Sequence, residues 1–144
     1  MRAVQVVAAA LIGADGRVLI AERAPGKPLA GRWEFPGGKR EPGEGELEAL
    51  ARELREELGV EPIESRHMMR LTHAYPERTV ELSLWVVDRY QGEPRGLEGQ
   101  ALRWVEPGQL AEADLLEADR PFVVGLLEWL STRFPGEGDD GRDE

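Results

Sequence analysis

Two rhythms of apolar and polar positions alternate along this chain. Residues 3–12 (AVQVVAAALI) are apolar and partly β-branched, which predicts a buried strand. Gly13-Ala14-Asp15-Gly16 reads as a turn, and residues 17–23 (RVLIAER) as the returning strand of a hairpin. A loop follows at 24–32, then a short extended piece, Trp33-Glu34-Phe35, stopped by Pro36-Gly37-Gly38. The rhythm then changes. Across residues 46–58, Leu47, Leu50, Ala51, Leu54 and Leu58 fall at helical spacing, and Gly59 is a natural left-handed stop. Strands are predicted at 65–72, 79–90 and 101–105. A last helix is expected at 120–133, with Asp119 as its N-cap and Pro121 in its first turn. Strands interleaved with two helices predict an α/β layered fold.

Composition narrows the function. At 144 residues the chain fits one domain with a core of its own. Its 28 acidic side chains outweigh 18 basic ones, for a formal charge of −10, which disfavours binding to a nucleic-acid polymer. The absence of cysteine excludes disulfides, thiolate metal sites and a Cys nucleophile. The longest apolar run, Val6 to Ile12, is too short to span a bilayer, so no membrane association is expected. Met1-Arg2-Ala3 leads into it without a signal-like cleavage site, so a cytoplasmic protein is expected. The charge is unevenly spread: residues 137–144 (EGDDGRDE) hold five acids and one Arg. The expected organisation is therefore one domain over 1–134 and an acidic, disordered tail over 135–144.

The chemistry gathers between Gly37 and Val60. On a helix over 46–58, the spacing is read as placing Glu53, Glu56 and Glu57 within an arc of about 100°, opposite the leucine stripe. Like charges at these spacings repel, and Glu56 and Glu57 also lie near the helix C-terminus, where anions are disfavoured. Taken alone, this is most simply a solvated acidic face; converging carboxylates are also what a hard divalent cation requires. Pro36-Gly37-Gly38-Lys39, just upstream, allows the backbone to approach a phosphate or metal closely.

Together these residues form a long fixed pattern: Gly38, five residues, Glu44, seven residues, Arg52-Glu53-Leu54, one residue, Glu56-Glu57, one residue, Gly59-Val60. This resembles the Nudix box, Gx5Ex7REUxEExGU with U an apolar aliphatic, at all nine specified positions. Trp33 to Lys39, Pro76-Glu77-Arg78, Gly92-Glu93-Pro94, Glu98-Gly99-Gln100 and Ala118 to Pro121 extend the likeness to the MutT-type, 8-oxo-dGTP diphosphatase-like branch. The resemblance implies a Nudix α/β/α sandwich with a mixed β-sheet between helices.

It also implies a nucleoside triphosphate substrate cleaved to monophosphate and pyrophosphate with Mg2+, or Mn2+ as a substitute, by a monomer or weak dimer. Glu53, Glu56, Glu57, Glu98 and the Gly37 carbonyl would hold the metal, and Arg52 would keep these acids in place. The base that activates water would be Glu53 or Glu98, with Glu44 third; Glu53 is favoured as base and Glu98 as metal ligand. Arg23, Glu34, Phe35, Pro36, Gly37, Gly38, Lys39, Arg78 and Asp119 would face the substrate, Phe35 against the nucleobase and Arg23 and Arg78 on the phosphate side. Val4 and Val6 would line the same pocket. His67 and His73 stand apart from the acids and are expected to have local surface roles, whereas Trp85, Trp104 and Trp129 read as core.

The implied activity is removal of 8-oxo-dGTP before a polymerase uses it. A pyrimidine enzyme acting on CTP, dCTP or modified cytosine nucleotides is the alternative, and a non-catalytic nucleotide-binding module the alternative of another class. Asp119 bears on this choice. The best-known MutT pattern has Asn there, which matches both O6 and N7–H of 8-oxoguanine, whereas an ionised Asp only accepts.

Overall fold

Strand β1 (Val4–Leu11) is covered on both faces, and this organises the molecule. The computed structural model describes residues 3–133, so the predicted acidic tail lies outside the described residues. Val7, Ala9 and Leu11 point into one apolar layer, with Leu50, Leu54 and Leu58 of helix α1 (Glu46–Leu58). Ala8, Ala10 and Ile12 point into the other, with Phe122, Leu126 and Leu130 of helix α2 (Arg120–Arg133). A strand buried on both faces has no polar side to alternate with, which is why residues 3–12 read as a near-continuous apolar run.

The remaining strands are β2 (Val18–Glu22), β3 (Trp33–Glu34), β4 (Gly37–Lys39), β5 (Glu61–Ala74), β6 (Thr79–Gln91) and β7 (Leu102–Val105). They form a mixed sheet in the order β4-β1-β6-β5 and a smaller antiparallel sheet in the order β3-β2-β7. Strand β1 runs parallel to β6 and antiparallel to β4. The architecture is thus the expected α/β/α sandwich, with short 3-10 turns at Pro107–Glu112 and Glu117–Asp119 leading into α2.

Three expectations require correction. The β1–β2 hairpin does not form: one bridge, Ile12 to Val18, joins them, and the strands then enter different sheets. Each pairs over a longer stretch elsewhere, β1 with β6 and β2 with β7. Second, Gly37–Lys39 is a strand rather than a loop, because a side chain is what would keep it away from β1. A Cβ on Gly37 would stand 2.0 Å from the Val7 carbonyl oxygen. Third, the buried face of α1 is rotated from the predicted stripe: Ala49 is buried, while Leu47 is 52% exposed.

Candidate active site

That rotation places the acids. Seven residues make nearly two helical turns, so Glu57 lies only about 20° from Leu50 around α1, and Glu53 about 60°. They sit on the inward half of the helix, beside the leucines and not opposite them. Glu53 is 14% exposed, Glu56 is 56% exposed and points outward, and Glu57 is partly buried.

Opposite this face lies the seam between the two sheets, where the chain passes from β3 through Phe35 and Pro36 into β4. The Pro36 carbonyl accepts from the Ala9 N–H at 2.8 Å, holding the crossing against β1. A Cβ on Gly38 would stand 2.5 Å from the Glu53 carboxylate, so only glycine lets that acid lie against the strand. Beyond it, the carbonyl of Lys39 accepts from Arg52 Nη2 at 3.0 Å. The Lys39 side chain itself is exposed.

Arg52 is the frame of the site. Its Nε and Nη2 donate to both oxygens of Glu44, at 2.7 and 2.9 Å, and its Nη1 donates to Glu53 at 3.0 Å and Glu56 at 3.4 Å. The paired bonds are the strong, geometrically demanding kind that a guanidinium makes with a carboxylate. Arg52, helped by the Glu41 N–H, holds the Glu44 carboxyl down to about 2. The Arg52 guanidinium is in turn held further above its ordinary value, chiefly by Glu44.

The C-terminal end of α1 is the reverse. Burial, followed by the charges of Glu53 and Glu98, pushes the Glu57 carboxyl up to about 9. Glu34 is raised too, by burial above all, against the opposing pull of Arg23 and with Glu98 adding to the rise. Glu34, Glu53, Glu57 and Glu98 therefore share one field, although they come from β3, α1 and the loop at 92–100. No three carboxylate or imidazole groups among the described residues stand close enough together to hold an ion. The donor set still fits a hard divalent cation: its oxygens repel one another here, and a positive charge would relieve that repulsion.

Other expected residues are placed as follows. Arg23 Nη1 donates to Glu34 at 3.2 Å, and its Nε donates to the Pro28 carbonyl. Arg78 lies in the exposed turn between β5 and β6, two residues before Val80, which pairs with Val4. Phe35 is 3% exposed and meets Phe122 edge to face, so its ring is core. Its N–H donates to Asp119 Oδ2 at 3.1 Å. Asp119 precedes α2 as an N-cap would, but this carboxylate reaches across the fold to the link between β3 and β4. It is buried, and that burial pushes its carboxyl up to about 7.

Two features went unread in the sequence. Trp85 packs with the α1-side core as expected, yet its Nε1 donates to Glu46 at 3.1 Å. Ser83 also donates to Glu46, at 2.8 Å, Arg70 pairs with it, and His67 Nε2 meets the Ser83 hydroxyl at 3.0 Å. This polar hub fastens the first turn of α1 to β5 and β6. The second is Gln100, which bonds the main chain of Glu57 and Glu98; an amide in a Gly-rich loop carries no pattern of its own.

With the geometry in place, likeness to known proteins decides the family. A NUDIX domain signature matches residues 1–126. The chain belongs to the Nudix family. It is 37% identical over 133 residues to a CTP pyrophosphohydrolase of Escherichia coli K12, covering 92% of this chain and 98% of that one. It is 34% identical over 126 residues to the 8-oxo-dGTP diphosphatase of the same organism, covering 88% and 98%. The solution structure of the E. coli ORF135 protein superposes with a TM-score of 0.83 at 36% identity, covering 93% of this chain and 95% of that one. A MutT from a study of Aliivibrio salmonicida and Vibrio cholerae superposes at 0.78 with 31% identity, covering 89% and 99%. This Nudix hydrolase is thus of the MutT type, in a family that generally uses a divalent metal, and among the described residues no helix is long and apolar enough to cross a membrane.

Proposed function

We propose that this Nudix hydrolase converts 8-oxo-dGTP to its monophosphate and pyrophosphate in the cytoplasm, before a polymerase can use it. The metal would be Mg2+, with Mn2+ as a substitute. Glu53, Glu56, Glu57, Glu98 and the Gly37 carbonyl are the groups that would hold it. When bound, the ion neutralises triphosphate charge and lowers the barrier to attack by water. The protein's part is to orient and deprotonate. Glu53, fixed between Arg52 and Gly38, is the proposed base. Glu44, tied to Arg52 through both oxygens, is better suited to positioning than to taking a proton. Arg23, Lys39 and Arg78 are the cations proposed to meet phosphate.

The observation that carries the choice of base is Asp119, buried and raised to about 7. Near neutrality much of it is protonated, and a protonated carboxyl both donates and accepts, as 8-oxoguanine O6 and N7–H require. The same residue supports a second reading. Ionised, it only accepts, which suits the N4 amine of cytosine, and one relative is named a CTP pyrophosphohydrolase.

The test is kcat/KM for 8-oxo-dGTP, dGTP, CTP, dCTP and 5-substituted cytosine triphosphates, at pH values on either side of 7. Preference for 8-oxo-dGTP that strengthens as pH falls supports the first reading; the opposite trend with a cytosine nucleotide supports the second. Pyrophosphate release from none of them would leave a binding module. In 18O-water the label should enter pyrophosphate, as attack at the β-phosphorus requires.

A further inference from the structure

One side chain outside the Nudix box joins its last acid to the loop acid. Gln100 Nε2 donates to the Glu57 carbonyl at 3.1 Å, while Gln100 Oε1 accepts from the Glu98 N–H at 2.9 Å. The last carbonyls of a helix have no partner within it. In α1 the loop at 92–100 supplies them: Leu97 N–H also donates to the Glu57 carbonyl, and Arg95 N–H to that of Leu58, both at 3.0 Å. The fit around Gln100 is close. A Cβ on Gly96 would stand 2.1 Å from the Gln100 carbonyl oxygen and 3.2 Å from its Oε1. Elsewhere the loop is open, with Arg95, Leu97, Glu98 and Gly99 all exposed.

We propose that Gln100 is a positioning residue that fixes Glu98 against Glu57, so that both carboxylates are presented to the same divalent ion. The proposal rests on the reading above that Glu57 and Glu98 are ligands of that ion. Both bonds use backbone atoms of the two acids, so their carboxylates remain free to ligate. An amide suits the task because it donates at one end and accepts at the other. Glutamate at 100 would lack the donor, and methionine, of similar length, would lack both groups. The role is the familiar one of an outer partner that orients a ligand, here acting through the main chain.

The test compares Gln100→Met, Glu98→Gln and the double variant in the full chain, with thermal melting to verify folding. Direct Mn2+ binding is read from the EPR signal of the free ion, and kcat/KM is followed against Mg2+ concentration. Gln100→Met should weaken Mn2+ binding about tenfold to a hundredfold and be partly rescued by excess Mg2+. In the Glu98→Gln background, the same change should alter binding by less than about twofold, since the carboxylate that Gln100 presents is gone and the Leu97 N–H still holds the Glu57 carbonyl. An equal loss in both backgrounds, or none in the first, overturns the proposal. Unchanged binding in Glu98→Gln alone removes the ligand reading and the proposal with it. Hydrogen exchange at the Glu98 amide of the unsubstituted chain needs no variant: protection is expected, and exchange at the unstructured rate overturns the proposal.

Discussion

The two ends of the box helix treat the same residue type in opposite ways. Toward its start, Glu44 and Glu46 are each matched by a cation, Arg52 and Arg70, and by further donors. Toward its end, Glu53 and Glu57 face each other and Glu98, and the nearest guanidinium, Arg52, bonds Glu53 and Glu56 while Glu57 is raised by burial and its acidic neighbours. The outcome is a carboxyl near 2 at Glu44 and one near 9 at Glu57. Acids satisfied within the fold hold the helix in place. Acids left to repel one another cost stability, and a fold retains such a cost where a ligand can remove it.

The largest test of this contrast is Glu57→Gln. It preserves shape and removes a carboxyl that a cation could ionise at the uncompensated end, so kcat/KM should fall by at least about a hundredfold. Thermal melting of the metal-free protein near neutral pH should hold or rise, because the folded chain no longer has to keep a proton on an acid whose pKa burial and its neighbours raise to about 9. A variant with near-normal turnover would separate Glu57 from the chemistry. The opposite end should respond in the opposite way. Arg52→Met deletes the bonds to Glu44, Glu53 and the Lys39 carbonyl at once and should cost about 2 kcal/mol, roughly 6 °C in Tm. Activity should drop about tenfold to a hundredfold through misplaced acids. The acid limb of stability should change too. Glu44 is depressed in the folded chain, so its contribution is present above the ordinary carboxylate pKa and is lost as pH falls toward 2. Glu44→Gln should flatten the pH dependence of Tm within that window. A normal Tm in Arg52→Met would show that the frame is not structural.

How much of this was legible in the sequence depended on range. Both helices fall where spacing placed them, because Leu50, Leu54 and Leu58, and the run after Pro121, are local signals. The carboxylates were legible as a set, but their direction was not. Which half of α1 turns inward is decided by packing against β1 and β4, and by the Glu46 hub, all remote in sequence. The β1–β2 hairpin failed for a related reason. Turn chemistry at Gly13 to Gly16 predicts a reversal, which occurs, but the extended pairing goes to β6 and β7, strands remote in sequence that local turn chemistry does not name. Phe35 read as a ring against a base, and its hidden contribution, an N–H for Asp119, has no side-chain signature. Gln100 stands out in the sequence only as the end of Glu98-Gly99-Gln100, since its value lies in two backbone atoms 43 and two residues away.

The smallest effect, and the one that sharpens the contrast most, concerns Asp119. It is an uncompensated acid like Glu57, but it lies in the α2-side core and accepts a bond from a neutral N–H. Its folded value, about 7, stands above the ordinary 3.8, so the folded chain binds the proton more tightly than the unfolded chain. The contribution of the protonated acid is therefore fully present below about pH 4 and is lost as pH rises through 7. Asp119→Asn retains an oxygen for the Phe35 N–H and cannot ionise. Its Tm should match that of the parent at pH 4 and exceed it at pH 8 by several degrees, on the order of 1–3 kcal/mol. The substrate ratio should follow the same coordinate. In the parent, the ratio of kcat/KM for 8-oxo-dGTP over dCTP should fall severalfold between pH 6 and 8, since any shared dependence on the catalytic base cancels in a ratio. In Asp119→Asn the ratio should be flat with pH and no lower than the parent value at pH 6. A Tm that responds while the ratio does not would make Asp119 a buried brace for the link between β3 and β4, with base choice set elsewhere in the pocket.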